Sequence, residues 1–540
     1  MSIYLGFDAS TQGLTVTAIE TDPQRRILFS RTLNYDEALP HYGTRHGVLP
    51  HTDPLVAFSP PMMWAEALDR MMAALAADGS LDLSRIAAVS GSAQQHGSVY
   101  CTAVAAERLA SLDPARPLSS QLTDVFSRSD SPIWMDASTS RQCAAITALV
   151  GEDTLQRVTG SRAFERFTGP QIRKYAEMDP EGYARTSRIH LVSSFLASLL
   201  VAGGDAPVDP GDASGMNLMD LNTASWAEGL VHATAPDLER RLPVVRPSST
   251  VIGTLSAYWV QRYGFPAARV VAWSGDNPCS LVGAGLIEPG VRGVSLGTSD
   301  TVFAYEQEPA TDPSGSGHVF ASPTGQFMAL TCFKNGSLAR ERIRDDYSLD
   351  WSGFADALRK TPPGNRGRVL LPWFEPEITP PVADGGIRRY GLDPSDGPAN
   401  VRGIVEAQVL SMARHTRWMG DHVRRIHATG GAAVNQEILH ILADVFNAEV
   451  YRFEAGNSAA LGAALRAFHA DTLRQGRPLR WPEVIKGFVV PLETSGIPPN
   501  PEHVQTYAAV APIHAACESH ALYGGGDPFP LIAAFARSPA

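Results

Sequence analysis

The segments VVAWSGDNP, residues 270–278, and GVSLGTSD, residues 293–300, decide how this chain folds. In the first segment, an apolar run typical of a strand ends at Gly275-Asp276, where glycine permits a sharp turn and a carboxylate follows. In the second, another short strand ends at Gly297, and the hydroxyls and backbone amides that follow are suited to phosphate oxygens. Both segments therefore predict ligand-binding turns at the ends of strands.

A third segment near the N-terminus, YLGFDASTQG at residues 4–13, repeats this design. A strand again reaches a turn of Gly, Ser and Thr residues, and the strand pattern resumes at residues 15–19. In the second copy the pattern resumes at residues 301–305. Two hairpins of one design, far apart in the chain, predict two related lobes that face a shared phosphate.

Length and composition limit the class of protein. A chain of 540 residues is too long for one ordinary core, which favours two large domains. A hydrophobic fraction of 44% and a charged fraction of 19% are typical of a globular protein. The net charge of −11, without a basic block, argues against nucleic acid or a membrane surface as a partner. Five scattered cysteines, with no apparent signal peptide or membrane span, favour a cytoplasmic enzyme with reduced thiols.

Apolar spacing predicts the other elements. The pattern indicates strands over 27–33, 86–90, 425–429 and 448–453, and helices over 61–77, 457–469 and 502–522. It also predicts one buried helix from Asp179-Pro180 through Leu199, and a proline-rich connection over 471–500. Residues 247–249 resemble a hinge, so we expect domains at 1–248 and 249–540.

Polar loops follow several of these strands. Residues 91–98, GSAQQHGS, place two glutamines and His96 between glycines, which is typical of a pocket for sugar hydroxyls. A turn with exposed polar residues remains the alternative. The pair Gly430-Gly431 lies between a strand and a helix that Asn435 would cap, an arrangement that lets a nucleotide approach the backbone.

Taken in order, these segments resemble the FGGY sugar kinases, and among them the D-xylulose kinases of the longer, eukaryotic-like type. The resemblance covers nearly the whole chain. It is carried by the hairpin at 8–12 and by residues 94–97, 131–136, 159–169, 212–217, 275–278, 295–301, 333–337 and 428–431. Each motif is weak by itself, but their joint order is specific.

The resemblance implies an α/β fold of two actin-like (ribonuclease H-type) lobes, with the active site in the interdomain cleft. It implies transfer of the γ-phosphate of ATP to the 5-hydroxyl of D-xylulose. The residues implied to bind the sugar are His96, Arg166, Asp276 and Asn277, with His96 and Arg166 as hydrogen-bond donors. The residues implied to bind ATP are Thr11, Gln12, Thr298, Trp351, Gly430, Gly431 and Asn435, and Asp8 would face Mg²⁺.

The chemistry assigns a role to one of these carboxylates. A sugar hydroxyl is a weak nucleophile at neutral pH. We therefore expect a positioned carboxylate to act as a general base that accepts the hydroxyl proton. Asp276, beside a glycine at a strand end, is the predicted general base. Phosphoryl transfer otherwise requires positioning and charge neutralisation.

Three alternatives remain open from the sequence. The same chemistry could act on another ketopentose or on a polyol. A non-catalytic actin-fold ATPase could move its lobes to grip a protein, although it would need no sugar pocket. A hydrolase could use Asp8 and Asp276 as a carboxylate pair, but this reading leaves the two Ser/Thr turns unexplained.

Overall fold

The computed structural model describes residues 2–420, 422–454, 456–493 and 496–537. Within these ranges the strands are β1 (Ile3–Ala9), β2 (Gly13–Glu20), β3 (Arg26–Asn34), β4 (Phe58–Ser59), β5 (Ile86–Ala93), β6 (Ser98–Thr102), β7 (Ser131–Pro132), β8 (Thr186–Leu191), β9 (Met219–Asp220), β10 (Ser225–Trp226), β11 (Val251–Thr254), β12 (Arg269–Val271), β13 (Ser274–Gly275), β14 (Val291–Leu296), β15 (Asp300–Glu306), β16 (His318–Ala321), β17 (Phe327–Phe333), β18 (Val369–Leu371), β19 (Arg388–Tyr390), β20 (Arg425–Thr429) and β21 (Glu449–Arg452).

The α-helices of the same ranges are α1 (Tyr35–Ala38), α2 (Pro61–Ala77), α3 (Val104–Ala110), α4 (Ser140–Val150), α5 (Glu152–Thr159), α6 (Thr168–Met178), α7 (Pro180–Arg185), α8 (Val192–Val201), α9 (Pro210–Ala213), α10 (Glu228–Thr234), α11 (Ala257–Tyr263), α12 (Asp276–Gly283), α13 (Ser337–Asp346), α14 (Trp351–Lys360), α15 (Gly397–His415), α16 (Gln436–Phe446), α17 (Ser458–Arg474), α18 (Trp481–Ile485), α19 (Pro501–Tyr523) and α20 (Phe529–Arg537). Among the described residues, no helix combines the length and the apolar composition that a membrane span requires.

Two mixed sheets share a core of five strands, β12-β5-β1-β2-β3 in the first and β21-β20-β14-β15-β17 in the second. In the first, the strand order is β11-β12-β5-β1-β2-β3, with β13 also paired to β5. In the second, the order is β16-β17-β15-β14-β20-β21. In both, an N-terminal hairpin (β1–β2 or β14–β15) is antiparallel, and its first strand pairs in parallel with a strand that arrives by a crossover (β5 or β20). The equivalence confirms the prediction of two related α/β lobes.

The first sheet extends beyond the predicted domain boundary. Strands β11, β12 and β13 follow residue 249, but they pair with one another or with β5 of the first sheet. The change from the first sheet to the second occurs between Gly275 and Val291. A boundary near 249 would separate these three strands from the sheet to which they belong. The composition of residues 247–249 could not indicate this, because it carries no information about which distant strands pair.

Helix α17 packs on the first sheet although it belongs to the second half of the chain. Three glycines allow α17 to pack closely on strand β1 and on helix α12. A Cβ on Gly6 of β1 would lie 2.0 Å from the carbonyl oxygen of Ala460, and one on Gly283 of α12 would lie 1.9 Å from that of Ser458. A Cβ on Gly462 of α17 would in turn lie 1.9 Å from the carbonyl oxygen of Cys279. The small residues of this helix therefore serve close packing.

The chain between Asp179 and Leu199 differs from the single helix predicted for it. The structure has α7, then strand β8, then α8. Strand β8 pairs in antiparallel with β6, with Ile189 opposite Tyr100. A short apolar run is compatible with either a buried helix or a strand, and only pairing with β6 decides between them. Similarly, the predicted connection over 471–500 contains the end of α17 and all of α18.

Candidate functional site

Asp276 is the first residue of α12 and follows β13 directly. Its Oδ1 accepts hydrogen bonds from the backbone N–H groups of Asn277 at 2.8 Å and Gln95 at 3.3 Å, and from Asn277 Nδ2 at 3.1 Å. Asn277 Nδ2 also donates to Gln95 Oε1 at 2.9 Å. The loop after β5 and the start of α12 thus form one polar cluster, and the hydrogen bonds described for Asp276 all end on one carboxylate oxygen.

Several carboxylates lie close to this cluster. Burial, together with the negative charge of Asp8, raises the pKa of Asp276 to about 7. Burial also raises the pKa of Asp8, whose carboxylate accepts a hydrogen bond from Ser92 on the paired strand β5. The pKa of Asp212 is raised well above its usual value by burial, with Asp209 and Asp276 adding to the shift. The cluster would be stabilised by a cation or by protonation.

His96 lies in the same loop with a backbone φ of 71°. Its Nδ1 donates to the carbonyl oxygen of Gly215 at 2.7 Å, because a carbonyl can only accept. Burial first, and then the charge of Arg166, lowers the pKa of His96 to about 3, so the ring is neutral. Its Nε2 is therefore an acceptor. The expectation that His96 donates a hydrogen bond to the sugar is corrected here, because the single ring N–H is already donated to the carbonyl oxygen of Gly215.

Arg166 lies against two aromatic rings of the segment that precedes α6 and contacts a histidine of the second sheet. Its guanidinium carbon is 5.3 Å from the ring centroid of Phe164 and 5.8 Å from that of Phe167. Its Nη2 donates to Nε2 of His318 at 2.7 Å. His318 lies on β16 of the second sheet, and His96 is adjacent, with Phe167 between them at centroid distances of 4.8 Å and 5.4 Å. The candidate sugar pocket is therefore built from both halves of the chain.

The two hairpin turns are braced in different ways. In the first, Thr11 Oγ1 accepts a hydrogen bond from Trp134 Nε1 at 2.8 Å, and Gln12 is exposed. In the second, Thr298 is exposed, and the backbone N–H of Ser337 donates to the carbonyl oxygen of Gly297 at 2.8 Å. The carboxylate of Asp300, just past this turn, forms two hydrogen bonds with buried Arg340 at 2.7 and 2.9 Å. Thr11 is half-buried, whereas Thr298 is exposed.

The predicted nucleotide loop adjoins the second hairpin. Gly430 follows β20 with φ at +89°, and a Cβ there would lie 2.5 Å from the carbonyl oxygen of Leu296, the last residue of β14. Nothing lies within 4 Å of a Cβ built on Gly431. Asn435 caps α16, accepting from the backbone N–H of Glu437 at 3.0 Å. These residues border open space beside the Gly297 turn.

Trp351 lies on a helix of the second half of the chain that packs against α16. It begins α14, its ring is 44% exposed, and the guanidinium of Arg344 lies 4.6 Å from its centroid. Helix α14 meets α16 at its other end, where Arg359 Nε donates to Glu437 Oε1 at 3.0 Å. The structure thus brings Gly430, Gly431 and Asn435 into one loop and leaves Trp351 as an exposed ring on the neighbouring helix.

Several residues of the pocket had not been predicted. Asp212 lies within the segment 212–217 that carries the resemblance but was not predicted as a site residue, and neither were His318 and Phe320. A histidine beside Gly317 at the start of an apolar strand, residues 318–321, is the one signal that could have drawn attention to β16. Its neighbours in space come from residues about 150 positions away, such as Arg166.

Comparisons with known proteins agree with this geometry. Residues 130–283 match the N-terminal domain model of the FGGY family of carbohydrate kinases, and residues 293–470 match its C-terminal domain model. The chain is 44% identical to a xylulose kinase of Mus musculus, with 96% of this chain and 94% of the mouse protein covered. It is 43% identical to xylulose kinase 2 of Arabidopsis thaliana, over 87% of both chains.

A solved structure extends the comparison to the fold. The ligand-bound xylulose kinase of Lactobacillus acidophilus superimposes with a TM-score of 0.80 over 97% of this chain and 99% of that one, at 18% identity. Two sheets that share a five-strand core, a carboxylate at the start of α12, and sequence matches in both halves lead to one conclusion: this chain belongs to the FGGY family of carbohydrate kinases.

Proposed function

We propose that this protein transfers the γ-phosphoryl group of ATP to the 5-hydroxyl of D-xylulose, with Asp276 as the general base. The observation that carries the proposal is the setting of Asp276 at the start of α12. Its Oδ1 is fixed by Gln95 and Asn277, which leaves Oδ2 to accept a proton. A pKa of about 7 suits a base that operates near neutral pH. The xylulose kinases of mouse and Arabidopsis support the choice of sugar.

The reaction balances with these groups. The 5-hydroxyl of the sugar gives its proton to Asp276 as its oxygen bonds to the γ-phosphorus, and the bond from that phosphorus to the β-γ bridging oxygen breaks, releasing ADP. Neutral His96 accepts a hydrogen bond from one sugar hydroxyl, while Arg166 donates to another. The amide of Asn277 stays beside the reacting carboxylate through Gln95.

The phosphate chain of ATP would lie between the two hairpin turns. Backbone N–H groups and hydroxyls at Thr11 and Thr298 face it, and the adenosine end lies toward Gly430, Gly431, Asn435 and Trp351. Open space next to Gly431 supports this placement, because backbone atoms there are accessible to a ligand. We also propose that the lobe boundary lies within residues 284–290, between the two regions that match the family models.

The residues present fit Mg²⁺. Asp8 is a carboxylate at the end of β1 whose charged form is disfavoured by burial, so a bound cation would stabilise it. Among the described residues, no group of three or more His, Cys, Asp or Glu side chains is arranged to hold a metal. Mg²⁺ commonly binds through one or two carboxylates together with waters and substrate phosphates, so a single aspartate is sufficient. When bound, Mg²⁺ would neutralise charge on the phosphates.

The deciding experiment measures ADP release by the purified protein with a panel of ketoses and polyols. We expect D-xylulose to give the highest kcat/KM, with its C3 epimer D-ribulose clearly poorer, because a site built on hydrogen bonds leaves its own groups unpaired when a hydroxyl is displaced. A polyol that exceeds every ketopentose would replace D-xylulose in this proposal. A rate of ADP release that is the same with and without each sugar would indicate an ATPase instead.

A further inference from the structure

The guanidinium of Arg166 has an unusual partner for a buried cation. Its described hydrogen bond goes to the ring nitrogen Nε2 of His318, at 2.7 Å. Within the described ranges it forms no ion pair with a carboxylate. Burial lowers the pKa of Arg166, and the nearby Cys332 and Glu165 offset part of this effect. Its positive charge therefore remains available to the oxygen atoms of a ligand.

The protonation state of His318 follows from its two contacts. Arginine can only donate, so Nε2 of His318 must be the acceptor and carry no proton. Nδ1 then carries the hydrogen and donates to Ser161 Oγ at 3.1 Å. Burial, and next the charge of Arg166, lowers the pKa of His318 well below its usual value, which keeps the ring neutral. A neutral ring with both nitrogens engaged has one orientation, and it fixes that of Arg166.

Aromatic packing restrains the same pair. The His318 ring is 4.7 Å from Phe164, 5.4 Å from Phe167 and 5.8 Å from Phe320, measured between centroids. Two of these rings, Phe164 and Phe167, also lie against the guanidinium of Arg166. Because the cation lies against aromatic rings and has a ring nitrogen at one end, few other positions are open to it.

Strand β16 brings His318 to the first lobe by backbone contacts. The N–H of Val319 donates to the carbonyl oxygen of Gly160 at 3.0 Å, and the N–H of Ala321 donates to Ser214 Oγ at 3.1 Å. A Cβ on Gly160 would lie 2.5 Å from the carbonyl oxygen of Val319, so the two backbones are in close contact. An edge strand of the second sheet is thereby joined to the segment that carries Arg166.

We propose that His318 is a positioning residue for sugar binding: it accepts from Arg166 and orients the guanidinium toward the ligand. The inference rests on the proposed function, in which Arg166 donates to a sugar hydroxyl. It adds a residue of the second sheet to a pocket otherwise assigned to the first lobe. The consequence is that sugar affinity depends on β16 although His318 itself makes no contact with the sugar.

Three substitutions at His318 separate its contacts. His318→Gln places an amide oxygen near the position of Nε2 and retains an acceptor for Arg166. His318→Asn places its amide near Nδ1, which preserves a partner for Ser161 but leaves Arg166 without an acceptor. His318→Phe keeps the ring and removes both nitrogens. The quantities to measure are KM for D-xylulose, KM for ATP, kcat, the Kd for D-xylulose by calorimetry, and Tm.

We expect the Asn and Phe variants to raise KM and Kd for D-xylulose on the order of tenfold, the usual effect of losing one buried hydrogen-bond partner. KM for ATP should change by less than about twofold, because the nucleotide does not depend on Arg166. His318→Gln should recover most of the sugar affinity. If Gln and Asn have equal effects, or if KM for ATP rises with KM for the sugar, His318 has only a structural role.

A double-mutant cycle tests the route through Arg166. In an Arg166→Met background, His318→Asn should leave the Kd for D-xylulose unchanged, since the residue it positions is gone. An equal loss of affinity in both backgrounds overturns the inference. Failure of the wild-type protein to bind or phosphorylate D-xylulose would contradict the proposed function, whereas normal wild-type turnover with unaffected His318 variants contradicts the inference alone.

Discussion

The guanidinium of Arg466 donates to the carbonyl oxygen of Ala272 at 2.7 Å, which joins helix α17 to the chain just before Asp276. The same buried side chain donates to the carbonyl oxygens of Ser248 at 3.1 Å and Gly91 at 3.2 Å. One arginine from the second half of the chain thus satisfies carbonyl groups along β5 and along the chain that leads to α12. These segments carry the polar cluster of the candidate site.

Replacement of Arg466 by methionine should destabilise the protein strongly. Buried carbonyl oxygens would lose their donors, so we expect the free energy of unfolding to fall by roughly 3 kcal/mol or more. The matched control is Arg474→Met in the same helix, whose half-exposed side chain pairs with Asp471 at 3.3 Å and should matter by less than about 1 kcal/mol. Thermal and urea unfolding of both variants provide the comparison, and equal losses would contradict the anchoring role.

Asp276→Asn should lower kcat by roughly 10²–10⁴-fold, because the amide cannot accept the sugar proton. The amide oxygen can still accept from Asn277 and Gln95, so we expect the fold and much of the sugar affinity to persist. Steady-state kinetics with D-xylulose, together with calorimetric sugar binding, measure both effects. Retention of more than about a third of the wild-type turnover would remove Asp276 as the base, given that expected range.

The raised pKa of Asp276 also predicts a pH dependence of stability. Its pKa is 3.8 in the unfolded chain and about 7 in the fold, so the native state favours the protonated form. This contribution is fully present below pH 3.8 and is lost as the pH rises through about 7. Unfolding of the wild type and of Asp276→Asn should therefore give a difference in favour of Asn that grows across this interval.

Activity should change in the opposite direction over the same pH range. The base must be ionised, so kcat/KM for the wild type should rise as the pH passes about 7. A rate that stays flat from pH 5 to pH 9, together with a stability difference that is independent of pH, would exclude the assigned pKa.

Removal of divalent metal should abolish phosphoryl transfer. Asp8→Asn keeps an acceptor for Ser92 but loses the charge that would face Mg²⁺, so we expect slower turnover and a higher Mg²⁺ requirement. Titration of activity with Mg²⁺ in the wild type and the variant measures this shift. Full activity in excess EDTA would contradict phosphoryl transfer as the reaction, and an unchanged requirement in the variant would contradict only the role of Asp8.

Alanine substitutions at two adjacent glycines should separate an effect on stability from an effect on nucleotide binding. Gly430→Ala places a Cβ 2.5 Å from the carbonyl oxygen of Leu296 at φ +89°, so Tm should fall. Gly431→Ala meets nothing within 4 Å, so Tm should hold, while KM for ATP should rise if the nucleotide occupies that space. Thermal unfolding without ligand and steady-state kinetics test the pair. An unchanged KM for ATP in Gly431→Ala would move the nucleotide away from this loop.

Much of the fold was available from local patterns. The apolar runs that end in Gly-rich turns at residues 4–13 and 293–300 predicted two related hairpins, and each belongs to a sheet with the same five-strand core. Helix α2 has the bounds that its apolar spacing predicted, and Asn435 caps α16 as expected. Such features depend on neighbours within a few positions, so the amino-acid sequence by itself determined them. The order of the motifs along the chain carried the resemblance that implied the fold class, and the role of Asp276 as general base stays a prediction.

Tertiary structure alone decided how distant segments meet. Strand β8 is a strand because β6 pairs with it, and residues 251–275 belong to the first sheet because β5 pairs with β12 and β13. The neutral state of His96 and the raised pKa of Asp276 arise from burial, and the contact between His318 and Arg166 joins residues 152 positions apart. Pairing, burial and charge coupling are properties of positions in space, so they exist only once the lobes have assembled.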